Sequence, residues 1–362
     1  MIHRPSRAVL ALLAAGLVAA ACGDDDDTTT DTDGSTPPAQ EEVSLTLVTH
    51  DSFSISDDVL AEFTEETGIT VELLPSGDAG SALNQAILTK DDPQGDVLFG
   101  VDNTFLSRAL DEDLFVAYES PALDDVDQSL VLDDEHRVTP IDTGDVCLNF
   151  DKAGLADLGI EPPESLEDLT DPDYAGTLVV ENPATSSPGL AFLLATVDAF
   201  GEDGWQDFWR TLAAQDLEVA AGWEEAYYGS FSGAAGSPGD RPLVVSYASS
   251  PPAEVIFAEE PLDDAPTGVV VGSCYRQIEF AGILAGTEHE EAAQQLIDFM
   301  LSPTFQGDIP LNMYVYPVID VELPPEFVEY GAEPDDPYLL DAETVAANRD
   351  DWIEEWTEIV LR

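Results

Sequence analysis

The chain has 362 residues, of which 44% are hydrophobic, so it is long enough for two packed lobes and too apolar to be wholly disordered. Its charge is very unbalanced, because 11 Lys and Arg stand against 75 Asp and Glu, a formal net charge of −64. A surface this acidic repels nucleic acid and anionic membrane surfaces, which excludes both as partners bound through charge.

Residues 1–21 have the pattern of a secretory signal. Arg4 and Arg7 precede the apolar run AVLALLAAGLVAAA, which is too short to span a bilayer comfortably. The three alanines before Cys22 resemble the lipobox of bacterial lipoproteins, and this resemblance implies cleavage before Cys22 and a lipid on its sulfur. Cleavage by an ordinary signal peptidase is the alternative.

Residues 22–42 follow the signal with almost no apolar side chains, reading GDDDDTTTDTDGSTPPAQEE after Cys22. Such a segment cannot bury enough surface to fold, so it is predicted to be a disordered acidic tether. A lipidated Cys22 with this tether predicts a globular domain that is extracytoplasmic and anchored by lipid to the outer face of the cell membrane.

Strands and helices alternate from Val43 onwards. VSLTLVTH predicts a strand, a helix capped by Ser56 and ended by Gly68 follows, and ITVELL, a helix over residues 81–89 and GDVLFGVD come next. This order indicates a parallel α/β sheet, in which ligands gather at the carboxyl ends of the strands. Polar side chains follow two of these strands, at His50, Asp51, Ser52, Asp102 and Asn103.

The second half of the chain has the same kind of strand and helix pattern. TLVVEN predicts a strand, and LVVSY predicts a buried strand that ends at Tyr247 and precedes a Ser-Pro helix start, SSPPAEV. Trp205, Phe208 and Trp209 have helical spacing and are assigned to the core. The chain closes with an amphipathic helix that includes Trp356.

The TSSPG segment, residues 185–189, predicts the start of an apolar helix, because Ser or Thr is a preferred N-cap and proline suits the first turn. The unpaired N–H groups and the dipole at such a start attract anions. A self-capped helix with nothing bound is the simpler explanation unless the rest of the chain supplies a pocket.

No pattern in the sequence supports catalysis. The motifs GxSxG, HExxH and GxxxxGK are absent, and His50 is the only histidine that ends a core strand. We therefore interpret the protein as not an enzyme, and we expect no cofactor.

Cys147 and Cys274 lie in strand-like runs, DVCLNF and SCYRQIEF. They have no Cys or His partner at ligand spacing, so we expect no metal site. Disulfides persist in exported proteins, and we expect one between these two residues. Two buried free thiols are the alternative.

Aromatic residues favour a binding function. Several fall in loops or at strand ends beside Gly, Pro or Ser, where aromatic side chains often form ligand walls, although ordinary packing explains some of them. An alternative role for the adjacent Tyr227 and Tyr228 is to ligate ferric iron, as paired tyrosines can do. The further oxygen ligands that such a site needs are not identifiable in the sequence. The aromatic set is Trp223, Tyr227, Tyr228, Tyr247, Tyr314 and Tyr316.

Segments spread over residues 49–318 resemble the thiamine-binding proteins of bacterial ABC importers, among them THDSF, GVDN, NPATSSPGL, AGWEEAY, VSYASSP and MYVYPV. The resemblance implies a two-lobed α/β periplasmic-binding-protein fold of type II, with two crossing hinge strands. These strands would be GDVCLNF and SCYRQIEF, so the expected disulfide would join two neighbours at the hinge. Lobe 1 would comprise residues 43–145 and 275–362, and lobe 2 residues 146–274.

The same resemblance implies a monomer that binds thiamine or its phosphates and delivers them to an ABC permease powered by a partner ATPase. Aromatic faces would hold the thiazolium cation, and the helix start at TSSPG would receive the hydroxyl or phosphate end. Ferric iron or another small solute is the alternative ligand. The expected ligand-binding residues are His50, Asp51, Ser52, Asp102, Asn103, Thr185, Ser186, Ser187, Trp223, Tyr227, Tyr247, Ser250 and Tyr314.

Overall fold

The structure is a computed structural model that describes residues 43–258 and 260–362. The predicted signal, the lipidation site at Cys22 and the predicted tether lie outside the described residues. Within the described ranges, no helix combines the length and the hydropathy needed to cross a bilayer.

Ten strands of the described chain form one sheet. Eight of them follow the order β2-β1-β3-β9-β5-β8-β6-β7, while β4 pairs with β9 and β10 pairs with β5. The strands are β1 Ser44–Thr49, β2 Thr70–Pro75, β3 Val97–Asp102, β4 Phe115–Val116, β5 Thr139–Asp151, β6 Leu178–Glu181, β7 Glu218–Ala220, β8 Leu243–Tyr247, β9 Thr267–Leu284 and β10 Tyr316–Pro317.

Helices connect these strands and cover the sheet. They are α1 Asp57–Thr67, α2 Ala79–Leu88, α3 Leu106–Asp111, α4 Lys152–Leu158, α5 Ser187–Phe200, α6 Trp205–Ala214, α7 Ser250–Ile256, α8 Glu290–Met300, α9 Pro303–Asn312, α10 Pro325–Tyr330 and α11 Ala342–Val360. A π-helical turn spans Glu225–Ser230, and short 3-10 turns occupy some of the connections.

The parallel arrangement predicted for the first three strands is confirmed, and the central strands of the sheet are antiparallel. Strands β2, β1 and β3 are parallel, as are β8, β6 and β7, whereas β9 and β5 run antiparallel to their neighbours. The central strands β5 and β9 are the longest in the sheet described here, with 13 and 18 residues. They pair from Thr139 opposite Ala281 to Asp151 opposite Thr267 and so cross from one half of the sheet to the other. The expected two crossing strands are therefore present.

Cys147 on β5 and Cys274 on β9 form a disulfide in the structure, at the point where the two strands change halves. Both side chains are buried, and the pairing register shifts between Val146 and Leu148. The bond therefore connects the two hinge strands directly and leaves the outer strands of each half outside the cross-linked pair.

We expect the variant with both Cys147→Ala and Cys274→Ala to lose about 4 kcal/mol of unfolding free energy, because the bond closes a loop with a sequence separation of 127 residues. Urea denaturation of the variant and the parent measures this loss. Two thiols that label in denaturant without a reductant would contradict the disulfide.

The first helix shows how local signals and long-range contacts combine. Ser56 is the N-cap of α1 and Gly68 ends it with φ of 74°, as the sequence predicts. The Ser56 hydroxyl, however, donates to Oδ1 of Asp308 at 3.0 Å and not to its own helix. This contact fastens the start of α1 to α9.

Helix α11 contacts α6 and α3, which lie on different halves of the described chain. Trp356 packs edge-on against Trp209 of α6, with ring centroids 5.5 Å apart, and the Arg349 guanidinium lies 6.0 Å from the ring of Phe105. The Trp356 contact lies on the apolar face that the sequence predicts, whereas the Arg349 contact does not belong to that face. Because α11 spans the two halves, the lobe boundaries at residues 145, 146, 274 and 275 remain a proposal.

Candidate ligand-binding site

A cavity of about 280 Å³ opens beside the crossing strands and is lined by residues from both halves of the chain. Its size is close to the range of small-molecule sites. The structure places most of the expected ligand-binding residues along it. These are His50, Asp51, Ser52, Ser187, Trp223, Tyr227, Tyr247, Ser250 and Tyr314.

One side of the cavity is a cluster of aromatic rings, which we call the aromatic box and define as Trp223, Tyr227, Tyr228 and Tyr247. Trp223 stacks on Tyr227 with centroids 4.9 Å apart and meets Tyr228 edge-on at 5.4 Å. Tyr247 lies tilted at 6.3 Å from Trp223. The π-helical turn places Tyr227 and Tyr228 against the indole of Trp223. A flat ligand in the cavity could therefore contact more than one aromatic ring.

Serines behind the box hold its rings in place. The Trp223 indole N–H donates to the Ser246 hydroxyl at 2.9 Å, and the hydroxyls of Ser246 and Ser250 are 2.8 Å apart. Ser250 also accepts the backbone N–H of Tyr247 at 3.1 Å. The second Ser-Pro helix start therefore orients two aromatic residues in addition to lining the cavity.

Tyr227 and Tyr228 remain neutral phenols in this setting. The Tyr227 hydroxyl donates to Oε1 of Glu254 at 2.9 Å, and burial raises its pKa well above the ordinary value. Burial likewise raises the pKa of Tyr228 to about 12.

His50 faces a buried acid at the floor of the cavity. Its Nε2 lies 3.4 Å from Oε1 of Glu279. Burial by itself lowers the pKa of His50, but the charges of Glu279, Asp78 and Asp51 outweigh it and raise the pKa above the ordinary value. Gly100 on β3, with φ of 104°, makes room for the imidazole, because a Cβ there would lie 2.5 Å from Cδ2 of His50.

Asp102 lies behind this floor and does not line the cavity. Strand β9 covers it, since Asp102 stands opposite Glu279, which in turn stands opposite Asp142 on β5. The Asp102 Oδ1 accepts from the hydroxyl of Thr104 at 2.6 Å, and burial raises the Asp102 pKa to about 7. The expectation of direct ligand contact is therefore not met, because an antiparallel strand occupies the space beside β3.

Three other expected residues also lie outside the lining. The Asn103 side chain bonds the backbone of β9 at Arg276 and Ile278, and the Thr185 hydroxyl donates to the Ala221 carbonyl at 2.6 Å. Ser186 is fully buried beneath the first turn of α5. None of the three lines the cavity, and the buried Ser186 hydroxyl has no hydrogen-bond partner among the described residues.

Asp78 is the most connected cavity residue that sequence reasoning missed. It caps α2, with Oδ1 accepting the Ala79 N–H at 2.7 Å. The same Oδ1 accepts the Ser187 N–H at 3.2 Å, and Oδ2 accepts the Trp223 N–H at 2.9 Å. An Asp directly after Gly77 and before an apolar run is a typical N-cap, so this signal was available. Its contacts with Ser187 and Trp223 had no sequence signal.

Acidic side chains outnumber the single histidine, His50, along the described lining of the cavity. Among the described residues that line it are Asp51, Asp78, Glu224 and Glu279, and this lining includes no Lys or Arg. Acids beside aromatic faces favour an organic cation. In the described part of the chain, no group of three His, Cys, Asp or Glu side chains is arranged to hold a metal ion.

Sequence comparisons identify relatives that align with this chain over nearly their whole length. The chain is 32% identical to the Thiamine-binding periplasmic protein of Salmonella typhimurium over 338 residues, which cover 90% of this chain and 96% of that protein. It is 33% identical to the protein of the same name from Escherichia coli over 331 residues, again covering 90% and 96% of the two chains. These relatives are named for binding a solute, which agrees with the interpretation of the chain as not an enzyme.

A solved structure described as a periplasmic thiamin binding protein superposes on this one with a TM-score of 0.77 and 30% identity, covering 88% of this chain and 96% of that one. This match supports the two-lobed α/β fold of type II. The family model described as "Bacterial extracellular solute-binding protein" matches residues 92–334. The chain therefore belongs to the family of bacterial extracellular solute-binding proteins.

Proposed function

We propose that the protein is an extracytoplasmic solute-binding protein that captures thiamine, or its mono- or diphosphate, and delivers it to an ABC importer. The observation that carries the proposal is the aromatic box beside four cavity acids. Thiamine combines a cationic thiazolium with a flat pyrimidine, and both features suit such a lining. The names and the coverage of the relatives support the same ligand.

The aromatic box would hold the cation through the faces of its rings. A desolvated cation over an aromatic face gains about 2 kcal/mol. Tyr314 would close the mouth of the site, where it stacks on Phe327 with centroids 6.2 Å apart and meets Phe257 at 5.2 Å. Its backbone φ of 56° is unusual for a bulky residue and directs this ring to the mouth.

Ligand capture would be coupled to closure of the lobes about β5 and β9. The two halves already touch at the cavity, since the Ser52 hydroxyl donates to Glu224 at 3.1 Å and the Ser81 N–H donates to the Thr185 carbonyl at 3.1 Å. A ligand that contacts both lobes favours the closed form in proportion to its differential affinity. The closed monomer would dock on the permease, whose ATPase would supply the energy. The lipid anchor at Cys22 is part of this proposal and rests on the sequence.

Calorimetric titration of the purified protein with thiamine, thiamine monophosphate and thiamine diphosphate tests the proposal. We expect one site per chain and micromolar or tighter affinity for at least one of them, because the cation is desolvated between rings and acids. Choline is the matched control, since it carries a cation without the pyrimidine and is expected to bind more weakly. The absence of binding for all three thiamine compounds would contradict the proposal.

Ferric iron is the weaker candidate ligand. Iron would need tyrosine oxygens together with further ligands, whereas the Tyr227 hydroxyl already donates to Glu254. In the described part of the chain, no group of three His, Cys, Asp or Glu side chains is arranged to complete such a site. An iron-dependent visible absorption band on adding ferric citrate would reverse this ranking.

A further inference from the structure

His50 can bring a positive charge into the cavity. The described residues that line the cavity include no Lys or Arg, so a protonated His50 is the single cationic side chain of that lining. The His50 side chain is 14% exposed, and its Nε2 lies 3.4 Å from Oε1 of Glu279, which lines the cavity as well. His50 therefore contacts both the space for a ligand and a nearly buried carboxylate.

Acidic groups face His50 from the elements packed around it. Burial by itself lowers the pKa of His50, but the charges of Glu279, Asp78 and Asp51 raise it above the ordinary value of 6.5. Burial raises the pKa of Asp78 as well, so Glu279, the acid in direct contact, is the principal partner of the imidazolium. The phenol of Tyr247 on β8 is neutral, because burial raises its pKa well above the ordinary value. The acids are Asp51 after β1, Asp78 at the start of α2, Glu279 on β9, Glu224 before the π-helical turn, and Asp102 on β3 and Asp142 on β5 in the same row as Glu279.

A cationic ligand and the proton on His50 compete for these acids. The aromatic box and His50 line the same cavity, so a cation held over the rings and an imidazolium repel each other across it. A nearby like charge disfavours the protonated form of a base, so an occupied site lowers the pKa of His50 relative to the empty site. By linkage, protonation of His50 weakens binding of the cation by the same factor.

We propose that His50 couples capture of the cationic ligand to release of a proton, so that the protein binds its ligand more tightly as the pH rises. The inference rests on the proposed function and adds a proton-linked residue to that site. Affinity is highest above the pKa that His50 has in the empty protein, and it declines as the pH falls through that pKa. Because that pKa is raised above 6.5, the decline begins near neutral pH.

Calorimetric titration with thiamine at pH 6 and pH 8 tests this coupling in the parent and in His50→Gln. The parent is expected to bind about tenfold more tightly at pH 8, since two like charges in one cavity shift a pKa by about one unit. Glutamine can still donate to Glu279 but carries no charge, so we expect the affinity of this variant to change by less than about twofold. The variant also shows how much of the change comes from protonation of the ligand itself.

Proton release is measured directly by titrating the parent with thiamine at pH 7 in phosphate and in Tris, whose ionisation enthalpies differ. We expect the binding enthalpy of the parent to differ between the two buffers in the direction of proton release, and that of His50→Gln to be the same in both. The measurement on the parent needs no substitution, so it decides the question even where a variant does not fold. Thermal melts identify such variants.

His136→Gln is the matched control, because His136 also lies near an acid, with its Nε2 3.8 Å from Oε1 of Glu119, but is outside the cavity lining. We expect this control to keep the pH dependence of the parent. An affinity of the parent that is equal at pH 6 and pH 8, or a tenfold change that persists in His50→Gln, would overturn the inference while thiamine binding still stood. Absence of thiamine binding at both pH values would contradict the proposed function as well.

Discussion

Replacing Trp223 with alanine is expected to weaken thiamine binding about 30-fold. The indole contacts every other ring of the aromatic box, with centroid separations of 4.9, 5.4 and 6.3 Å. Its loss removes one cation–π face, about 2 kcal/mol, and also leaves the neighbouring rings without their packing partner. The measurement is a calorimetric titration of the variant and the parent with thiamine.

Trp223→Phe is the matched control for this prediction. Phenylalanine keeps a flat face and the backbone N–H that Asp78 accepts, but it loses the indole bond to Ser246. We therefore expect a loss of about fivefold, smaller than for alanine. An alanine variant whose affinity stays within threefold of the parent would show that the aromatic box is not the cation site.

The free energy of unfolding is expected to fall as the pH rises from 5 to 8, and Asp102→Asn is expected to flatten this fall. Burial raises the pKa of Asp102 from its ordinary value of 3.8 to about 7, a difference that corresponds to at most about 4 kcal/mol. The Asn side chain can still accept from Thr104 without placing a charge beside Glu279. We expect the variant to be about 2 kcal/mol more stable at pH 8, because the removed charge is offset in part by a weaker hydrogen bond.

The expected fall in stability with rising pH follows from the difference in proton binding between the folded and the unfolded state. An acid whose pKa is higher in the folded protein holds its proton more tightly when folded, so stability declines between the unfolded-state pKa and the folded-state pKa. For Asp102 this window extends from about pH 4 to about pH 7. Burial also raises the pKa of Asp142 and Glu181 well above the ordinary value, which acts in the same direction. The raised pKa of His50 adds stability at low pH that is lost as pH rises through it.

Urea denaturation at pH 5 and pH 8 measures the effect. Asp92→Asn is the matched control, because it removes one negative charge from an exposed position. We expect this control to leave the difference between the two pH values unchanged. An equal difference between the two pH values for the parent and Asp102→Asn would mean that Asp102 does not titrate in this range.

Local patterns in the sequence were enough to predict the outer parts of the fold. The alternation in residues 43–50, the Ser56 and Gly68 caps and the strand VLFGVD depend on neighbours only a few positions away. The helix at TSSPG also begins where its Ser-Pro pattern predicts, although the Ser186 side chain forms no cap hydrogen bond. These elements form where predicted because caps and periodicity act within one or two turns.

Local sequence patterns predicted only some of the residues that line the cavity. Trp223, Tyr227 and Tyr247 were identifiable because large aromatic side chains beside Gly and Ser stand out in a sequence. Asp78 and Glu279 were not singled out, since acidic residues are abundant in this chain and the importance of these two depends on what surrounds them.

The tertiary structure decided which polar groups line the cavity. Asp102 and His50 both end parallel strands, yet β9 runs antiparallel beside β3 and buries Asp102, while His50 remains at the cavity. Ser187 N–H points at Asp78 only because α2 and α5, far apart in sequence, pack end to end. Sequence alone therefore determined the elements, the aromatic residues and the charge of this protein. The strand order and the packing of the helices determined which residues line the cavity. They depend on contacts between segments that are far apart in the chain, and a local sequence pattern does not reveal such contacts.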